Sequence, residues 1–344
     1  MSYSLTGSGR SGALLPQIGQ QELEAHIRHA NSQGIEFNYI MNAPNFGGRE
    51  HDKEWLLALR EHLAYLRDIG VNRLTITNDF LIQLVLKEFM EIDVNVSVIA
   101  GVDTPDRAEK YGQMGVQCIT LNQHTVNRNF EMLTRIRERV YCKLELLANI
   151  GCLDHCSHRN AHYKANRILS QSDVSDHEYA RAKKNAESCV TWCTGKILLN
   201  PLEMLKIPFI RPEDIFEYKN MGIDIIKIEG RLEKSAWLAQ VAKIYLEQDY
   251  AGDILYLNAK IPFLKKNISL MHGNMEQTMP QLSLDNKKLT ANDFLNNLKR
   301  FTGKAREDYY ASILEDVIRG YDHQDMQAIQ KQYRDNIKCS PESL

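Results

Sequence analysis

Ile69-Gly70-Val71-Asn72-Arg73-Leu74-Thr75-Ile76-Thr77 ends one helix and begins one strand. Glycine at the position just after a helix accepts the left-handed backbone that closes it, and the β-branched run that follows favours a strand. Met114-Gly115-Val116 and Met221-Gly222-Ile223 repeat the device. Around the first copy the chain alternates strand and helix. Strands are expected at 35–42, 73–77, 94–99, 116–121, 141–147 and 224–228, with helices at about 52–69, up to 89, 105–113 and 234–248. Short β-branched runs separated by amphipathic helices are the pattern of parallel strands with crossover helices, here an α/β, TIM-like (β/α) barrel.

Between 147 and 224 lie a run Ile197-Leu198-Leu199 and the segment Pro208-Phe209-Ile210, which reads as a seventh strand. Seven is one short of a closed eight-stranded barrel. A helix at about 23–30 has only Gly-Ser-rich chain ahead of it, so the barrel is expected either to be open or to lack its first strand–helix unit. Beyond residue 250 the chain turns polar and helix-prone, with helices near 291–301 and 305–320. The expected organisation is a barrel over 10–250, with a cysteine-bearing loop at about 150–195, and a mostly helical C-terminal extension over 251–344.

The 344 residues are 43% hydrophobic and 25% charged, and no apolar run approaches the ~20 residues a membrane span requires. The N-terminus lacks the basic start and apolar stretch of a secretory signal, which places the seven cysteines in a reducing, cytoplasmic setting. Net charge is −2, and the basic runs Arg181-Ala182-Lys183-Lys184 and Lys299-Arg300 read as solvated helix faces. Nucleic acid is therefore not indicated as a partner.

Cys152-x3-Cys156 and Cys189-x3-Cys193 form two thiol pairs. In a reducing cell such pairs suggest a metal. By spacing alone the set suits a [4Fe–4S] cluster, with structural zinc and an incidental grouping as alternatives, since zinc knuckles favour tighter two-residue spacers. The first pair directly follows the strand at 141–147, where barrel enzymes carry their chemistry. His155, His158 and His162 share that loop, and His158 and His162 are candidate proton donors. Cys118 and Cys142 read as buried small apolar residues, and Cys339 as a bystander in a polar tail. A second constellation is Lys227-Ile228-Glu229-Gly230-Arg231, where alternation points Lys227, Glu229 and Arg231 to one face. They would form either an internal ion-pair network or a carboxylate-binding set at the rim.

Ile225 to Arg231, the run Glu145-Leu146-Leu147-Ala148-Asn149-Ile150-Gly151-Cys152, the later cysteine pair, Val126-Asn127-Arg128 and Phe209-Ile210-Arg211-Pro212-Glu213-Asp214-Ile215 together resemble peptidase family U32, also called collagenase-like proteases. The resemblance spans roughly 10–250. It implies an iron–sulfur barrel enzyme that hydroxylates a biosynthetic substrate without oxygen, with prephenate as the proposed oxygen donor. Cys152, Cys156, Cys189 and Cys193 would hold the cluster; Lys227, Glu229, Arg231, His158 and His162 would serve the chemistry. A peptidase acting on a peptide substrate, or a non-catalytic partner in a heteromer with a related chain, are the competing readings. Two departures stand out. Relatives begin with a further strand–helix unit, and the hydroxylating members have a wider gap after their first cysteine.

Overall fold

The computed structural model describes residues 5–9, 18–171, 174–230, 233–258 and 283–319. Six strands form one parallel sheet in sequential order: β1 (Asn38–Met41), β2 (Arg73–Ile76), β3 (Asp93–Val96), β4 (Cys118–Thr120), β5 (Lys143–Leu147) and β6 (Ile225–Lys227). The sheet curls into a half-barrel, with β1 and β6 at its edges among the described residues. Helices α1 (Gln20–Ser32), α2 (Lys53–Asp68), α3 (Asp79–Glu88), α4 (Pro105–Met114), α5 (Gln123–Val126) and α6 (Phe130–Arg137) precede or connect the first five strands. Helices α7 (Arg159–Ile168), α8 (Asp176–Leu199), α9 (Leu202–Lys206) and α10 (Ile215–Asn220) lie between β5 and β6, and α11 (Ser235–Glu247) follows β6.

Local chemistry sets these boundaries. Asp52 caps α2 by accepting from the amides of Glu54 and Trp55, and Trp55, Leu59, Leu63 and Leu66 form its buried stripe. Thr104 caps α4 ahead of Pro105 at the first helical position. The glycine device closes the helices as expected: Gly70, Gly115 and Gly222 have φ of 95°, 90° and 83°.

One expectation fails between β5 and β6. Pro208-Phe209-Ile210 is not a strand; Pro208 has no amide to donate, and β6 pairs directly with β5. Ile197-Leu198-Leu199 is the end of α8, a 24-residue helix. The sheet therefore has six strands where seven were expected.

After α11 the described chain resumes at β7 (Ser283–Leu284), α12 (Asn286–Ala291), α13 (Phe294–Arg300), α14 (Gly303–Val317) and β8 (Ile318–Arg319), with β7 and β8 antiparallel. Leu289, Phe294, Leu298, Ile313 and Val317 join the same apolar core as the sheet. Arg128, 6% exposed, fastens the two regions: it donates to Leu205 O and to Tyr310 Oη and lies 4.6 Å and 5.2 Å from the ring centres of Phe209 and Phe294. Cys339 lies outside the described residues.

The two faces of the sheet differ in kind. Leu74, Ile76, Val94, Val96, Ile119, Leu144 and Leu146 point toward the helices and are fully buried. Asn38, Thr75, Asn95, Thr120, Glu145 and Lys227 sit at the alternate positions and so share the inner face. Cys118 is also on that face and is buried as expected. Its burial, then the nearby Glu145 carboxylate, push the thiol up to about 12. Above the ordinary thiol value near ~8.5 the unfolded chain releases this proton while the folded chain keeps it, so stability falls as pH rises toward the folded value. Cys118→Ala is expected to remove up to about 1.4 kcal/mol per pH unit from that decline between roughly pH 9 and 11, read by urea unfolding. Equal slopes in the two proteins would show that Cys118 does not hold its proton.

Candidate active site at the carboxyl mouth of the sheet

The inner-face polar groups satisfy one another. Thr75 Oγ1 donates to Asn38 Oδ1 at 2.8 Å, and Lys227 Nζ donates to Glu145 Oε1 at 2.9 Å. Thr120 Oγ1 lies 2.6 Å from the same Glu145 oxygen and 3.3 Å from Asn95 Oδ1. A hydroxyl has one proton, and the shorter, charge-assisted contact takes it. Glu145 is 6% exposed, so its charge depends on Thr120 and Lys227. Lys227 is 31% exposed at its side chain, with two further ammonium hydrogens available for an incoming group.

Above this layer, the strand ends form the mouth. Asn149, just past β5, accepts from Glu229 N at 2.6 Å and donates to Glu229 O at 2.6 Å and to Leu257 O at 3.0 Å. Its amide thus acts as a strand partner and holds Glu229 beside the loop that begins at Cys152. The peptide backbone then turns at Gly230, whose φ is 146°, a value that favours glycine. Arg231 lies outside the described residues. Across the mouth, Gly9 N donates to Asn42 Oδ1 at 3.0 Å and Ser8 N to Ser170 Oγ at 2.7 Å, which lays residues 5–9 over the ends of β1 and α7.

The cysteine loop is pinned by His124. Its Nδ1, which must carry the proton, donates to Leu153 O at 3.2 Å, leaving Nε2 to accept from Gln123 Nε2 at 3.2 Å. Cys189 and Cys193 lie one turn apart on α8 and so share a face. The loop and α8 are neighbours: the His158 ring lies 4.4 Å from the ring of Trp192, which stands between Cys189 and Cys193 in the chain. Burial is the main cause that raises the Cys156 and Cys189 thiols above their ordinary value, so both are neutral near pH 7 without a cation beside them. Cys193 Sγ lies 3.2 Å from Val190 O. Among the described residues no three Cys, His, Asp or Glu side chains stand close enough together to hold a metal ion as placed.

His158 precedes α7 with its ring 4.4 Å from the Trp192 ring, so it faces α8 beside the cysteine pair. His162 lies one turn further, next to Tyr163. His155 is exposed and has a left-handed φ of 45° in the middle of the loop. Asn149 ties the backbone of Glu229, two residues beyond Lys227 in the chain, to the segment that runs into Cys152. Sequence reading missed the residues that build the mouth: Asn149, Thr120, Asn95, Asn122 and Arg159. The period-two placement of Asn95, Thr120 and Glu145 was a usable signal, whereas nothing local marks Asn149.

A curled parallel α/β sheet with a polar inner face and a thiol-bearing loop at its carboxyl edge defines a half-barrel protein whose candidate site is that mouth. Residues 14–251 match the model of peptidase family U32, and the chain belongs to that family. It is 30% identical over 254 residues to a protein of Methanocaldococcus jannaschii described as an uncharacterized protease, covering 73% of this chain and 71% of that one. It is also similar, at 23% identity and a TM-score of 0.43, to a solved U32 peptidase over 52% of this chain and 73% of that one. No helix among the described residues is long and apolar enough to cross a membrane.

Removing Lys227 strands a buried carboxylate. Lys227→Met is expected to cost about 2 kcal/mol, below the usual range for buried pairs because Lys227 is partly solvated, and Glu145→Gln in the same chain should restore most of it. Strictly additive losses in urea unfolding would mean that the pair does not couple.

Proposed function

We propose that this chain is an iron–sulfur enzyme that modifies a small organic substrate at the mouth of the half-barrel. The observation that carries the reading is the packing of the cysteine loop against α8, where the His158 ring meets Trp192 between the two helical cysteines, from segments well separated in sequence. Four thiols from a loop and one helix face supply the donor set of a cubane cluster. As placed they are not yet a coordination sphere, so binding would draw the loop and helix together and deprotonate the thiols. When bound, the cluster would supply electrons to chemistry at the mouth. The chain's own residues do the rest: Lys227 and Glu229 face the incoming group, Glu145 and Thr120 hold Lys227 in place, and Asn149 fixes the Glu229 backbone.

The narrower reading is oxygen-independent hydroxylation, with an anionic donor such as prephenate held by Lys227 and by Arg231. Its support is the resemblance together with a mouth that offers fixed cations. The peptidase reading, which the family description and the relative's name favour, needs an activated nucleophile. Cys156 and Cys189 are poor candidates for one, because their thiols are raised rather than lowered.

Anaerobic purification followed by metal analysis tests the proposal. The expected outcome is a brown protein with about four irons per chain, as four-cysteine ligation of a cubane implies. Cys152→Ala and Cys189→Ala should each lower iron content sharply, and thermal stability with it. Stoichiometric zinc, or iron content indifferent to both substitutions, would contradict it.

A further inference from the structure

A second feature lies at the carboxyl end of β3. After β3, a short turn at Val98–Ala100 leads to Gly101, which is buried with φ 68°. Two guanidinium groups reach the space that a side chain at Gly101 would fill. A methyl group there would lie 3.6 Å from Arg159 Nη2 and 3.8 Å from both Nη1 and Nη2 of Arg107. The arginines come from different directions: Arg107 lies near the start of α4 and Arg159 is the first residue of α7.

Both heads are fixed by hydrogen bonds to rigid groups. Arg107 Nη2 donates to Ala100 O at 2.6 Å. Arg159 Nη1 donates to Asn122 Oδ1, and Asn122 is fully buried, with its own amide donating to Asp103 Oδ2 at 2.9 Å. Asp103 is the only carboxylate in this group: one oxygen lies 3.7 Å from Arg107 Nη1, and the other accepts from Asn122 and from Thr125 at 3.2 Å. Among the described residues Arg159 has no carboxylate partner. One acid therefore lies beside two arginines, in contact with Arg107 and linked to Arg159 only through Asn122, and the left-handed φ of Gly101 favours the residue that leaves no side chain beside them. Like charges held around a gap repel unless an anion fills it, and the planar forks of arginine match an oxyanion.

We infer that Arg107 and Arg159 form an oxyanion-binding site over Gly101, which receives a carboxylate or phosphate group of a small-molecule ligand at the mouth. This site needs no cluster, so it stands whether or not the iron–sulfur reading holds. Arg159 also lies within electrostatic reach of Cys156, so the bound anion would sit on the side of the mouth that borders the cysteine loop. A ligand gripped there would extend over the inner face toward Lys227.

The test is calorimetric titration of the full chain, at low ionic strength and pH 7, with inorganic phosphate and separately with succinate. The expected result is saturable one-to-one binding of at least one of them, weakened tenfold or more by Arg107→Gln and by Arg159→Gln. Arg67→Gln, which removes an exposed arginine paired with Asp68 at the end of α2, where the chain enters the amino end of β2, should leave the affinity unchanged. Preference for phosphate would mark a phosphorylated ligand, and preference for succinate a carboxylic acid. Because Arg107 is half-exposed, its substitution leaves the fold intact and carries the test even where Arg159→Gln is unstable. No saturable binding of either anion, an unchanged affinity in Arg107→Gln, or an equal loss in Arg67→Gln would overturn the inference.

Discussion

A buried carboxylate on the inner face of a parallel sheet constrains the strands beside it. Glu145 on β5 is almost without solvent, so its charge must be met inside the protein: Thr120 on β4 donates from one side and Lys227 on β6 from the other. These two contacts tie three adjacent strands together across the inner face and make that face polar, while the opposite face remains a continuous apolar layer against the helices. A packed eight-stranded barrel usually fills its interior with branched aliphatic side chains. This half-barrel instead keeps asparagine, threonine and charged groups there, an arrangement whose cost is recovered only when every group is paired.

The polar face leads to the mouth, where three kinds of residue meet. Lys227 and the backbone of Glu229 come from β6, and Asn149 locks that segment to the end of β5. The same β5 segment runs on into Cys152, so the cysteine loop and the charged strand are neighbours by covalent continuity as well as by hydrogen bonding. Against that loop α8 sets Cys189 and Cys193 on one face, and the turn after β3 places Gly101 next to Arg107 and Arg159. Thiols and guanidinium groups near one another are the groups that the proposed iron–sulfur centre and the proposed anion site would use.

Much of the sheet was legible because each strand announces itself twice, by its β-branched run and by the glycine that ends the preceding helix. Gly70, Gly115 and Gly222 serve that role at the positions read from sequence. The stretch between β5 and β6 was misread for an identifiable reason. Ser175-Asp176-His177-Glu178 is a capping sequence, and Ser175 does accept from the Glu178 amide at 3.3 Å to start α8. Read that way, the three-residue spacer between Cys189 and Cys193 is helical periodicity, which sets two thiols one turn apart, rather than a loop preference. The apolar run at 197–199 then belongs to the same helix. The cysteines, Lys227 and Glu229 were visible as chemistry-bearing types, but the Asn149 clamp and the Arg107–Arg159 pair were not, since both depend on approaches between segments distant in sequence.

The central claim is that the thiols of the loop and of α8 hold one iron centre that opens onto the polar mouth. Iron-edge anomalous scattering from crystals of the anaerobically reconstituted protein tests it most directly. The result required is a single iron-specific peak bounded by Cys152, Cys156, Cys189 and Cys193, on the side of the sheet that carries Lys227. An iron peak elsewhere, a zinc-edge signal at those cysteines, or no metal signal in a protein whose thiols remain apart would contradict it.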